Sequence, residues 1–115
     1  MTRPGIERRR AARAKAEFSI RLAERDTMRE AKLKDLSTNG LCCHYGEPLR
    51  EMTLVRIAVQ FPGQTETHQV QGAVVRCVKL RDVSPPTYEI AVFFTELPQA
   101  CRIALAEFVT ASVAV

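Results

Sequence analysis

Along most of its length the chain alternates apolar and polar side chains, the two-residue period of β-strands that are buried on one face. The alternation predicts six strands, separated by short segments rich in polar residues, Gly and Pro. They run from Glu17 through Leu22, Met28 to Leu36, Gly40 to Tyr45, Met52 to Phe61, His68 to Leu80 and Thr87 to Leu97. The first two strands are predicted to form an antiparallel hairpin around the turn Glu24–Asp26.

After the last strand the apolar period changes. Apolar side chains recur three and four positions apart at Ile103, Leu105, Ala106, Phe108 and Val109, which predicts an amphipathic helix. It is predicted to run from Pro98, in its first turn, to about Thr110. Six short strands and one terminal helix indicate the all-β class, as a small six-stranded antiparallel β-barrel with a C-terminal α-helix, because closure removes the exposed strand edges.

The positive charge of the chain is concentrated at its N-terminus. Residues 1–15 hold six basic residues against Glu7, a net charge of +5, and the whole chain carries +4, so residues 16–115 carry −1. We therefore predict a flexible basic N-terminal arm over residues 1–16 and one barrel domain with its helix over residues 17–112. A body without excess positive charge is a poor general nucleic-acid surface.

Length and hydropathy limit the number of domains and the cellular location that we expect. The 115 residues fit one compact domain. No apolar run approaches the roughly 18 residues of a membrane span, and the basic N-terminus lacks the apolar segment of a secretory signal. We expect a cytoplasmic protein without membrane insertion.

Few residues point to catalysis or metal binding. The four cysteines, Cys42, Cys43, Cys77 and Cys101, lack the Cys-x-x-Cys spacing of metal sites, which predicts buried reduced thiols and no metal. The two histidines, His44 and His68, have no acid and nucleophile arranged near them, and no Gly-rich phosphate loop is present. We therefore expect neither enzyme activity nor a cofactor.

A cluster of polar turn residues, "DLSTNG" from Asp35 to Gly40, lies between the second and third predicted strands. Alone it is typical of an Asx or Ser turn that connects strands. It also fits a ligand site, because a carboxylate accepts two N–H donors such as those of a guanine Watson–Crick edge, and a hydroxyl serves a phosphate or ring nitrogen. Asp35 and Ser37, two apart on an extended segment, are expected to project to one side. Gly40 would admit positive φ and close approach of a ligand.

The arginines of the arm favour a ligand site over a simple connecting turn. Arg9 and Arg13 are four positions apart, with Arg8 and Arg10 beside them. A guanidinium binds a phosphate bidentately, forks onto the O6 and N7 edge of guanine, or lies flat on a base. A ligand with two phosphates and two guanines would use all of these contacts. The alternative is a solvated tail or a nonspecific RNA anchor.

Together, the two clusters resemble the PilZ family of cyclic-di-GMP receptors. That family carries an Arg-x-x-x-Arg motif before the first strand, here "RRAAR", and an Asp/Asn-x-Ser-x-x-Gly motif after the second, here "DLSTNG". The likeness continues through "VQGAVVRC" and "YEIAVFFTEL" and covers nearly the whole chain. One departure is Ala91, where many members have Gly, and it affects strand packing more than ligand contact.

The resemblance implies a barrel whose surface binds cyclic-di-GMP under the arginine arm. Arg9 and Arg13 would contact phosphates and guanine edges, and Asp35 a guanine Watson–Crick edge. The adjoining polar and backbone contacts would come from Ser37, Asn39 and Gly40. An arginine at position 8 resembles members that bind two stacked, intercalated copies of the ligand.

The predicted function is therefore that of a receptor which changes conformation, or affinity for an unidentified protein partner, on binding cyclic-di-GMP. The alternative is a PilZ-like interaction module that binds protein and no nucleotide. An RNA-binding barrel is disfavoured, because Phe18, Tyr45 and few other aromatic residues are present to stack on bases and the body is near neutral. We expect no nucleic-acid partner.

Overall fold

A computed structural model describes residues 14–15 and 17–113 of the chain. It contains short antiparallel strands followed by one helix. The strands are β1 (Ala14–Lys15), β2 (Ser19–Ala23), β3 (Arg29–Leu36), β4 (Gly40–Tyr45), β5 (Leu54–Val59), β6 (His68–Lys79) and β7 (Tyr88–Glu96), and the helix is α1 (Gln99–Val113). Within the described ranges no helix is long and apolar enough to cross a membrane.

Six of these strands form a closed antiparallel barrel, as predicted. The order around the barrel is β3, β2, β5, β6, β7 and β4, and the pairing of β4 with β3 completes the ring. The strand β4 thus follows β3 in the chain but pairs with β7 on its other side. The predicted C-terminal helix is also confirmed. The two-residue β1, which pairs with β3, was not predicted, because two residues are too short to show a period.

Most element boundaries lie close to the predicted ones, and β4 matches its prediction at both ends. The strand β5 is shorter than predicted, because Met52 has φ of 72° and Phe61 accepts a turn hydrogen bond from the Gln64 N–H at 3.0 Å. Helix α1 begins after Pro98, whose carbonyl accepts the N–H of Arg102 at 2.9 Å, and it continues past Thr110 to Val113.

The core consists of the inward-facing side chains of the six strands and the apolar side of α1. An aromatic cluster joins the helix to the barrel. The ring of Phe61, 2% exposed, has its centroid 5.4 Å from that of Phe108 on α1 and 6.3 Å from that of Phe18, which precedes β2. The buried His68 packs 5.8 Å from the same ring, so Phe61 connects the start of the barrel, β6 and the helix.

Phe61→Ala should therefore destabilise the whole protein. Removing a fully buried Phe leaves a cavity and costs about 3–5 kcal/mol, measured as the free energy of unfolding in urea. Phe93→Ala is the matched control, because that ring is 53% exposed. Similar losses from both variants would contradict the central role of Phe61 in packing.

Candidate functional site

The turn between β3 and β4 is held together by Ser37. Its side chain is fully buried, at 0% exposure, and its backbone N–H donates to the carbonyl of Gly40 at 2.9 Å. Its Oγ accepts the N–H groups of Asn39 at 3.1 Å and of Gly40 at 3.3 Å, and it lies 3.3 Å from the Gly40 carbonyl oxygen as a donor. The hydroxyl therefore satisfies the polar backbone of the turn, the usual role of Ser in such motifs.

Gly40 is required by the packing of β4 against β7. A Cβ at this position would lie 2.2 Å from the carbonyl oxygen of Val92, so no side chain fits there. Gly40 does not use the positive φ that glycine admits; within the described residues Gly63 is the glycine with a positive φ. The reason is that Gly40 already belongs to a strand, opposite Phe93, and the close approach that the structure shows is to β7.

Asn39 lies at the surface of the same turn. Its side chain is exposed, and its carbonyl accepts the N–H of Phe94 at 2.8 Å. The backbone of Asn39 thus continues the β4–β7 pairing past the end of β4. The side-chain amide lies at the surface, where a ligand has access to it.

Asp35 and Ser37 do not project to one side, contrary to our expectation. Asp35 is partly exposed on the outside of the barrel, and Ser37 is buried. The cause is that Ser37 lies past the end of β3, in the turn, where its hydroxyl hydrogen-bonds the turn backbone. The outward position of Asp35 has a separate cause, a β-bulge: Leu33 pairs with Cys43 but Asp35 pairs with Cys42, so Lys34 is an extra residue in β3. The bulge breaks the two-residue alternation, and Asp35 stays outward while Leu36 points into the core.

The outer face around Asp35 is formed by β3, β4, β7 and β6. Opposite Asp35 lies Cys42, opposite Cys42 lies Ala91, and opposite Ala91 lies Arg76. These four residues make one row across the barrel surface. Ala91, the residue that departs from the family pattern, therefore lies two strands from Asp35 and not in the turn.

A charged group lies beside this row. The ammonium of Lys34 is 3.0 Å from Glu89 Oε1 on β7, and Nε2 of His44 on β4 is 3.4 Å from the same oxygen. The hydrogen bond from Lys34 is the largest cause that lowers the pKa of Glu89, and the same bond raises the pKa of Lys34. Sequence reasoning missed this group. Its signal was the three-residue spacing between Leu33 and Leu36, which indicates a bulge.

The cysteines only partly match their prediction. Cys43 and Cys101 are buried, but Cys42 and Cys77 are partly exposed. Burial is the main cause that raises the pKa of Cys42 to about 11 and that of Cys43 to about 12, so both thiols are protonated at neutral pH. In the part of the chain that the structure describes, no three His, Cys, Asp or Glu residues form a group that could hold a metal ion.

The predicted arginine contacts, from Arg8, Arg9 and Arg13, lie outside the described residues. The structure does describe where the chain continues after them. Ala14 pairs with Leu36, and Lys15 pairs with Asp35. The segment that follows the Arg-x-x-x-Arg motif is thus hydrogen-bonded to the strand that carries Asp35.

Comparisons with known proteins bear on the family and the fold of the chain. The family model described as the PilZ domain matches residues 7–111. No curated protein sequence matches the chain. The Bacillus subtilis inhibitor of motility MotI/DgrA is similar in structure, with a TM-score of 0.74 and 14% identity over 90% of this chain and 50% of that chain. The PilZ domain of YcgR from Escherichia coli, solved with c-di-GMP, gives 0.72 and 17% over 91% of each chain.

A third similar structure is the K. pneumonia MrkH–c-di-GMP complex, with a TM-score of 0.66 and 14% identity over 94% of this chain and 51% of that chain. The chain thus spans about half the length of the MotI and MrkH chains. At these identities the structural likeness shows a shared fold.

Ser37→Ala should destabilise the protein even without any ligand. It removes the acceptor of two N–H groups in a buried turn, and a buried unsatisfied donor costs about 1–3 kcal/mol. Thr38→Ala removes a hydroxyl from the neighbouring, partly exposed position and serves as the control. Urea unfolding of both ligand-free variants is the measurement, and an unchanged free energy of unfolding for Ser37→Ala would contradict the structural role.

Proposed function

Because the chain belongs to the PilZ domain family, we propose that it is a cyclic-di-GMP receptor that changes conformation or partner affinity on binding. Two proteins of similar fold, YcgR and MrkH, have been solved with this dinucleotide. The proposed activity is binding alone, without hydrolysis. The ligand carries two phosphodiesters and two guanines, which calls for cations and for a carboxylate that accepts guanine N–H donors.

The observation that carries the proposal is the register of β1 with β3. Since Ala14 lies opposite Leu36, the chain that precedes Ala14 reaches the barrel next to the Asp35–Gly40 turn. Consecutive Cα atoms are about 3.8 Å apart, so Arg13 is attached at this point, and Arg9 is four residues further from it. Both motifs are therefore within reach of one dinucleotide on the outer face.

Each residue of the site then has a proposed part. Arg9 and Arg13 bind phosphates and guanine edges, and Asp35, outward on β3, accepts the N1–H and N2–H of a guanine. The exposed Asn39 supplies a polar contact from the turn. We assign Ser37 and Gly40 to the site through the turn backbone that they shape. Arg8 supports a second, intercalated copy of the ligand.

A second candidate function is the interaction module that binds a protein partner and no nucleotide. An apolar strip on the outer face favours it. Phe93, 53% exposed, pairs with Ala73, which is only 9% exposed and pairs with Leu54, 67% exposed. Exposed apolar patches of this kind often mark protein interaction sites. The strip is also compatible with the receptor, because Gly40 pairs with Phe93 and so connects the strip to the motif turn. Titration with nucleotide separates the two functions.

Calorimetric titration should show binding of cyclic-di-GMP, a stoichiometry near two if Arg8 supports intercalation, and unchanged dinucleotide afterwards. GTP and a short RNA are the comparison ligands.

Arg9→Ala and Arg13→Ala each remove a charged bidentate contact, about 1.5–3 kcal/mol, or roughly ten- to hundredfold in affinity. Arg3→Ala removes the same charge outside the motif and should have little effect. Equal losses of affinity from all three variants would indicate a nonspecific basic arm. If the unaltered protein did not bind cyclic-di-GMP, the receptor function would be wrong and the protein-interaction module would be favoured.

Asp35→Ala should weaken binding at least roughly tenfold, about 1.4 kcal/mol, because the guanine donors lose their acceptor. Unfolding should change little, since the side chain is on the outside of the barrel. Asp26→Ala, in the exposed turn between β2 and β3, makes the same charge change as a control. If Asp35→Ala unfolded easily yet bound with normal affinity, the residue would serve only the strand connection.

A further inference from the structure

The bulge in β3 gives the outer face a second charged residue beside Asp35. Leu33 and Leu36 are both 1% exposed, so two residues lie between consecutive inward positions of the strand. Lys34, the extra residue, is exposed, and Asp35 is partly exposed. A regular strand would have turned one of the two toward the core. The bulge therefore places a cation and a carboxylate next to each other on the outside of the barrel, and bulges often re-aim side chains in this way beside functional sites.

The position of the Lys34 ammonium is fixed by a residue two strands away. Its Nζ lies 3.0 Å from Glu89 Oε1, and Glu89 is on β7, on the far side of β4. The lysine side chain therefore extends across β4 toward the row in which His44 pairs with Glu89, beside the row that contains Asp35. It remains 51% exposed, whereas Glu89 is 24% exposed. Accordingly, the ammonium is restrained and still accessible to a ligand.

An ammonium group in this position suits a phosphate. It has three N–H donors, and the bond to Glu89 uses one of them. Two donors remain, and Asp35 is the next residue on the same outer face. A cation for a phosphate and an acceptor for a base edge, held side by side, match a guanine nucleotide. Resting on the proposed function, we propose that Lys34 is a further phosphate-binding residue of the cyclic-di-GMP site, held in place by Glu89.

The first test compares Lys34→Ala with Lys79→Ala by calorimetric titration with cyclic-di-GMP. Lys79 is an exposed lysine at the end of β6, so its removal makes the same change in net charge. Loss of a charge-assisted phosphate contact should weaken binding roughly ten- to hundredfold for Lys34→Ala, and less than about threefold for Lys79→Ala. Circular dichroism confirms that both variants are folded. Equal affinities of the two variants would overturn the inference while leaving the receptor function in place, because the unaltered protein would still bind.

A second test separates contact from charge neutralisation. Without Lys34, the carboxylate of Glu89 stands uncompensated and repels an anionic ligand, so Lys34→Ala alone combines two effects. Glu89→Gln removes that repulsion. If Lys34 contacts phosphate, the double variant Lys34→Ala/Glu89→Gln should bind at least about fivefold more weakly than Glu89→Gln. Equal affinity of these two variants would show that Lys34 only neutralises Glu89, and would overturn the proposal.

Discussion

The barrel depends on the insertion of β4 between β3 and β7. The chain passes from β3 into β4 through three residues, yet β4 must also pair with β7, which is more than forty residues later in the sequence. Closure is possible because Gly40 has no Cβ where β4 meets the Val92 carbonyl. It also needs the buried hydroxyl of Ser37, which satisfies the backbone of the tight turn. A single short turn thus decides whether the sheet becomes a barrel.

The candidate site lies on the outer face of β3, β4 and β7, the strands that this turn brings together. Asp35 and Lys34 are on β3, Cys42 and His44 on β4, and Glu89 on β7. Residues more than fifty positions apart, such as Lys34 and Glu89, meet only once the barrel has closed. The site therefore forms only in the folded barrel, although the Asp-x-Ser-x-x-Gly motif within it is local in sequence. The segment after the arginines joins this face through the pairing of β1 with β3.

The contrast between local motifs and contacts made only in the folded barrel explains how much of the structure the sequence predicted. The period of two located six strands because each barrel strand buries one face and exposes the other, and the change of period at Pro98 located the helix. What failed depended on departures from regular geometry. Ser37 is buried because it lies in the turn after β3, and Gly40 is needed for close packing against β7 and not for a positive φ. The spacing between Leu33 and Leu36 indicated the bulge and was overlooked, whereas the contact of Lys34 with Glu89 spans three strands and does not follow from local period.

The residues of the Asp-x-Ser-x-x-Gly motif consequently do not bear equally on function. A PilZ-type module that bound only protein would still need Ser37 and Gly40, because both close the barrel. The presence of Ser37 and Gly40 therefore supports the fold but does not distinguish a nucleotide receptor from a protein-binding module. Asp35 is different, since its outward position follows from a bulge that presents it, beside a restrained lysine, to the surface. Together with Arg9 and Arg13, whose segment leads into β1, Asp35 carries the argument for a nucleotide receptor over an interaction module.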